Sequence, residues 1–185
     1  PHAFSDAPHH FGTNFIFNDY YEQFIETINF FNSYDKNNIL WLVRPHPSTK
    51  IYNEENIVKN FIKNSKNKNI IYCSTDLIGT KNLIEICDHV VTGRGTIGLE
   101  FACYGKKPIT AGASTYSKFD ISDECKTKED YFNKLKNLNR IKPLTAKQKK
   151  IAKKLLYYIE LSYPLHMNKT TDQMLFNFKK KSILN

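Results

Sequence analysis

Arg44-Pro45-His46-Pro47-Ser48 places a guanidinium and an imidazole in a loop stiffened by two prolines. Proline fixes its own φ and pushes the preceding residue toward extended backbone, so His46 is presented at a defined place and no helix can continue through it. Such an imidazole can donate to a phosphate oxygen, or protonate one as it leaves; the plainer reading is a rigid turn carrying a loop histidine. A second group, Thr92-Gly93-Arg94-Gly95-Thr96-Ile97-Gly98-Leu99-Glu100, has glycines at 93, 95 and 98. A glycine-rich turn entering a helix lets backbone N–H groups approach a phosphate, with Thr96 adding a hydroxyl and Arg94 a charge. The spacing is not G-x-G-x-x-G, so this is a phosphate-cradle candidate and not a dinucleotide fingerprint. The alternative is a tight strand-to-helix connection.

Glu100 falls one helical turn after Thr96 and therefore on the same helix face. A carboxylate there can accept hydrogen bonds from ribose hydroxyls. Ser74-Thr75-Asp76 with Gly79-Thr80 offers hydroxyls that could touch a base, or cap the helix that follows. Gly112 to Tyr116 could close over a bound nucleotide. His2, Asp6 and His9 near the start could ligate a metal, although their spacing matches no zinc pattern; a loop lining a cleft is the preferred reading, with no metal and no cofactor expected.

Alternating elements would position these groups. Tyr20, Phe24, Ile28 and Phe31 recur at helical spacing over Asp19–Phe31, with Asn18 able to cap the start. Asn38–Val43 is an apolar run that reads as a strand buried on both faces. A helix over Glu54–Ile62, a strand over Asn69–Cys73, a helix over Lys81–Cys87 and a strand over Asp88–Thr92 follow. Next come a helix from Thr96 to Tyr104 ended by Gly105, and a strand from Lys107 to Ala111. Thr127 caps a helix to about Leu138, and Thr145 a long one to Leu161 that stops near Pro164. Strands alternating with helices predict an α/β fold, a Rossmann-like doubly wound parallel sheet with C-terminal helices, whose ligands bind at the carboxyl ends of the strands. The clusters at 44–48, 74–80 and 92–100 each follow a predicted strand.

The chain has 185 residues, 41% of them hydrophobic, which suits one domain over 1–164 with a basic tail or crossover segment at 165–185. No run reaches the roughly 18 apolar residues that a membrane span needs. Residues 1–125 carry 12 Lys and Arg against 14 Asp and Glu, and residues 126–185 carry 15 against 4. The basic third could meet an anionic membrane surface or a phosphorylated substrate, or be a solvated helix face. It lacks the interleaved aromatics of a nucleic-acid binder, so no nucleic acid is expected. Cys73, Cys87, Cys103 and Cys125 form no C-x-x-C pair and read as free thiols in a reducing cytoplasm.

Taken together, H-A-F-S-D-A-P-H at 2–9, W-L-V-R-P-H-P-S at 41–48 and T-G-R-G-T-I-G-L-E-F-A-C-Y-G-K-K-P-I-T at 92–110 resemble a known family. They are similar to the C-terminal, donor-binding domain of GT-B glycosyltransferases of capsule polysaccharide biosynthesis, Kdo transferases among them. The resemblance implies a bacterial enzyme that transfers sugar from a nucleotide-sugar donor, CMP- or CDP-linked by preference, to a glycan or glycolipid acceptor. It implies that His46 and Pro47 meet the donor phosphate, that Thr96 adds a contact there, and that Glu100 holds the ribose. Arg44, Ser74, Thr75, Gly93, Arg94, Gly95 and Tyr116 complete the expected binding set. It further implies an acceptor domain with the catalytic base lying outside this chain, and work in the cytoplasm, either free or peripherally at the inner membrane face. Rival readings are an epimerase or CDP-glycerol-type transferase using the same cradle, and a non-catalytic nucleotide- or nucleic-acid-binding module.

Overall fold

The computed structural model describes residues 1–6, 14–34 and 38–162; His9, Pro164 and the expected 165–185 segment lie outside them. The first long element, α1 (Tyr20–Ser33), follows the predicted periodicity: Tyr20, Phe24, Ile28 and Phe31 are all buried. Its cap is Asp19, one residue later than expected. The Asp19 carboxylate accepts from the Glu22 N–H at 2.6 Å, while Asn18 is engaged by Glu22 instead.

The next elements are β1 (Trp41–Val43), α2 (Glu55–Lys63), β2 (Ile70–Tyr72), α3 (Thr80–Ile86), β3 (Val91–Thr92) and α4 (Ile97–Cys103). They are followed by β4 (Ile109–Thr110), β5 (Asp123–Glu124), α5 (Lys128–Lys136) and α6 (Ala146–Tyr157), the last running into a π turn at Tyr158–Ser162. The fold is therefore α/β with parallel strands. Among the described residues no helix is long and apolar enough to cross a membrane.

The strands are shorter than the apolar runs suggested, and they form two ladders instead of one sheet. β1 pairs with β2, Trp41 opposite Ile70, and β4 lies between β3 and β5, all parallel. Parallel pairing across only three residues ends where Pro45 and the 3₁₀ turn Pro47–Lys50 take over. β1 is not buried on both faces as expected. Trp41 and Leu42 are half-buried, Trp41 stacking on Phe31 at 3.5 Å between centroids, and Ile71 of β2 faces solvent. β5 was not anticipated, because Asp123 and Glu124 carry no apolar signal; backbone bonds such as Asp123 N–H to the Pro108 carbonyl, 2.8 Å, recruit them.

Two apolar clusters hold the elements together. The larger gathers α1, β1, α2 and α5 around Phe24, Ile28, Val58, Tyr131 and Leu135. The smaller packs α4 on α6 through Leu99, Ala102, Cys103 and Ala152, with Tyr116 and Ile121 beneath. Local signals agree with this packing. Gly105 (φ +92°) ends α4 with N–H bonds from Gly105 to Ala102 and from Lys106 to Phe101, the paired pattern of a left-handed helix stop. Lys106 Nζ also donates to the Ile84 and Cys87 carbonyls, closing the carboxyl end of α3. Thr127 accepts from Asp130 N–H, and Thr145 forms a reciprocal capping box with Gln148. The helix α3, by contrast, begins at Gly79 without a side-chain cap, so Ser74 and Thr75 do not have the capping role open to them in the sequence. All four cysteines are free.

Leu99 is fully buried between α4 and α6. Truncation to alanine leaves a cavity there, and Leu99→Ala should cost about 2–5 kcal/mol in urea unfolding. A loss below 1 kcal/mol would mean that the α4–α6 contact is not a packed core.

Candidate functional site

The carboxyl ends of β1 and β3 come together around the imidazole of His2, which the sequence left as a metal ligand or, by preference, as part of a loop lining a cleft. His2 stacks on Tyr20 (4.3 Å between centroids, 16°) and on His46 (5.5 Å, 13°). Its Nε2 lies 3.0 Å from the position that a Cβ at Gly95 would take, and is buried with no hydrogen-bond partner. The amino-terminal segment is built in, not draped. The His46 N–H donates to the Pro1 carbonyl at 2.9 Å. Glu54, itself buried, accepts from Phe4 N–H (2.6 Å), Ser5 N–H (2.8 Å) and Ser5 Oγ (2.6 Å). Neither Glu54 nor Tyr20 could be assigned to the site from the sequence, since a helix-start glutamate and a helix aromatic have obvious local roles.

The three glycines of the 92–98 turn each face a ring of this chain. A Cβ at Gly93 would lie 2.9 Å from the Tyr20 ring, one at Gly95 would meet His2, and one at Gly98 would run into the Tyr116 hydroxyl. The close approach that glycine permits is thus used for internal packing. Tyr116 is fully buried, and its hydroxyl donates to the Gly95 carbonyl at 2.8 Å. It supports the turn from below and does not face the cleft. Arg94 turns toward the β4–β5 connection, where its Nε donates to the Ala113 carbonyl at 2.6 Å.

His46 is held in one tautomer. Its Nδ1 accepts the Ser48 backbone N–H at 3.2 Å and lies 2.6 Å from Ser48 Oγ. A nitrogen that accepts a backbone N–H carries no proton, so the neutral ring has its proton on Nε2. Burial lowers the His46 pKa, only partly offset by Asp6. His46 is accordingly a neutral N–H donor at pH 7. Ser48 belongs to the motif, but its orienting role depends on the 3₁₀ turn that folds it back.

Arg44 extends across the end of β2. Its Nη2 donates to the Thr75 carbonyl at 3.4 Å, and its Nη1 is buried without a partner. Thr75 thus contributes its backbone, and Ser74 Oγ accepts from Asp76 N–H. Arg44 also acts electrostatically on Glu100, whose pKa is raised by burial and by Glu160 from the end of the chain's last described helix, against the opposing pull of Arg44. Thr96 is exposed with no side-chain capping bond, and the Glu100 N–H donates to its carbonyl at 3.0 Å, so both side chains share one face of α4 as expected. Pro47 is exposed at the start of the 3₁₀ turn, and Pro45 is buried beneath it. Among the described residues no group of three or more His, Cys, Asp or Glu is placed to hold a metal ion.

The result is a stacked pair of neutral imidazoles on which Arg94 acts electrostatically and, following the same strand β1, an Arg44 guanidinium acting on a carboxylate that burial makes easier to protonate. These groups can offer hydrogen bonds and positive charge to an anion, with Glu100 as an acceptor for hydroxyls. Comparison of the chain with protein-family models, with curated proteins and with solved structures found no match in any of the three.

Two measurements probe this arrangement. Gly98→Ala should lower stability by about 1–3 kcal/mol through overpacking against Tyr116. Tyr116→Phe in the same chain should restore part of that loss; strictly additive losses would show that the two do not touch. The second concerns pH. Burial lowers the folded His2 pKa to about 3, against about 6.5 unfolded. Between those values only the unfolded chain takes up the proton, so this contribution is complete above about pH 6.5 and is lost as pH falls toward 3. His2→Phe keeps a ring in the stack and removes the titration, so its stability should fall less between pH 7 and 4.5 than that of the parent chain. Equal slopes would place His2 outside the buried stack.

Proposed function

We propose that this chain binds a nucleotide-activated sugar as the donor-binding part of a bacterial surface-polysaccharide glycosyltransferase, folded as the Rossmann-like C-terminal half of a GT-B enzyme. One observation carries the reading: His2 Nε2, in the ring stacked on His46, and Arg44 Nη1, in the guanidinium that acts on Glu100, are buried polar atoms without a hydrogen-bond partner among the described residues. Buried polar atoms left without partners cost stability unless a water, an ion or a ligand completes them, and a phosphate could complete these two. The strand order supports it. The ladders are β1-β2 and β3-β4-β5, all parallel; with β1 placed beside β3 they would make a doubly wound sheet of order 2-1-3-4-5, whose switch point falls between those two strands, where ligands bind.

In transfer, the acceptor hydroxyl oxygen attacks the anomeric carbon while the bond from that carbon to the phosphate oxygen breaks. The electron pair leaves with the nucleotide, and the acceptor's proton passes to a base outside these residues. The phosphate gains charge as the bond breaks. The His46 Nε2–H and the Arg44 guanidinium stabilise that charge most when it is largest, in the transition state. Thr96 adds a hydroxyl to the phosphate, and Glu100 accepts from the ribose. The acceptor is a glycan or glycolipid, and the donor base cytosine; both rest on the family resemblance.

Calorimetric titration of the chain with CMP, CDP, UDP and GDP tests the reading. Cytidine nucleotides should bind best. His46→Ala should weaken them about 10- to 100-fold, as loss of one hydrogen bond to a charged group implies, and Thr96→Ala should weaken them less. No nucleotide binding, or unchanged affinity in both variants, would remove the assignment. Product analysis with an acceptor separates transfer from epimerisation.

A further inference from the structure

One side of α6 carries four lysines and no acid. Lys147, Lys150, Lys153 and Lys154 are exposed, and Tyr157 and Tyr158 follow them at 63% and 49% exposure. Residues three and four apart share a helix face, so 150, 154 and 157 form one row with 153 beside it. The opposite side of the same helix is spent: Ala152 is buried, and Ile151, Leu155 and Leu156 pack on the α4 cluster. Lys150, Lys153, Lys154, Tyr157 and Tyr158 line an open groove of about 500 Å³. None of the four lysines has a salt bridge among the described residues, whereas Lys50, Lys107, Lys128 and Lys134 all do.

We propose that this face of α6 docks on an anionic bilayer surface. Charge complementarity selects the occupant. Lysine ammonium groups on long apolar stems reach phosphate headgroups while their stems cover apolar surface. Tyrosine is suited to the headgroup depth, with its ring in the apolar boundary and its hydroxyl wet. Both tyrosines stand at one end of the lysine row and do not alternate with it, which favours a flat anionic surface over a strand of stacked bases. The helix need not insert; its apolar side remains in the protein core. This docking does not rest on the donor-site reading and involves none of its residues.

Co-sedimentation of the full chain with phosphatidylcholine vesicles, with and without phosphatidylglycerol, tests it. The chain should bind only the phosphatidylglycerol vesicles, less so as salt rises. Lys150→Gln, Lys153→Gln and Lys154→Gln combined should reduce partitioning on the order of a hundredfold, the conversion of about 1 kcal/mol per basic residue. Tyr157→Ser with Tyr158→Ser should weaken the binding that survives at high salt. The substituted side chains are exposed, so the thermal midpoint of the lysine variant should match the parent and exclude unfolding as the cause. Undiminished binding by the lysine variant, equal binding to neutral vesicles, no binding to either, or capture of single-stranded oligonucleotide with vesicles ignored would each overturn the proposal.

Discussion

Three positions without side chains in the turn between β3 and α4 govern how the rest of the molecule closes. Gly93 admits the ring of Tyr20, which belongs to the main core through α1. Gly95 admits His2, and Gly98 admits Tyr116. Elements far apart in the chain are thus registered against one short piece of backbone: the amino-terminal segment, the first helix and the β4–β5 connection. A Cβ at any of these positions would push on a ring that is already packed elsewhere. The tyrosine beneath the turn also spends its hydroxyl on Gly95, so the turn is held by a directional bond as well as by contact.

Much of the scaffold was legible, for a definite reason. The apolar spacing of α1, the cap residues Thr127 and Thr145, and the stop at Gly105 are local signals whose physics is complete within a few residues. The strands were less legible. Their length depends on a partner's backbone, and Ile39 and Leu40 are apolar enough to extend β1 but find no ladder there. β5 consists of an aspartate and a glutamate that only the neighbouring strand makes into a strand. The site divides in the same way. His46, Arg44, Thr96 and Glu100 could be placed after strands by pattern, but the function of the glycines could not. Their ring partners come from distant positions, and sequence spacing cannot distinguish a backbone bared for a phosphate from one bared for a tyrosine.

Charge is distributed by layer. Near β1 and β3 the ionisable groups are few, partly buried and mostly neutral or opposed. Across α5 and α6 they are many and solvated. On α5, Lys134 pairs with Asp130, and Lys128 reaches back to Glu22 and Glu26 on α1, so the charge there is largely consumed in holding helices together. On α6 it is not. The two helices differ in their own acids: α5 carries Glu129 and Asp130 beside its lysines and lies against the glutamates of α1, whereas α6 carries five lysines and no acid.

The tautomer of His46 has a consequence for selectivity. With Ser48 occupying Nδ1, the ring offers its visitor one N–H and no charge. A neutral donor ranks ligands by the direction and distance of their oxygen atoms, and scarcely by their ionisation. Arg44 is the opposite, a charge with a broad fan of N–H groups. In the proposed donor site the discrimination would be divided between them: the arginine would sort by electrostatics, and the histidine by shape. A ligand of the right charge but the wrong geometry would satisfy one and miss the other.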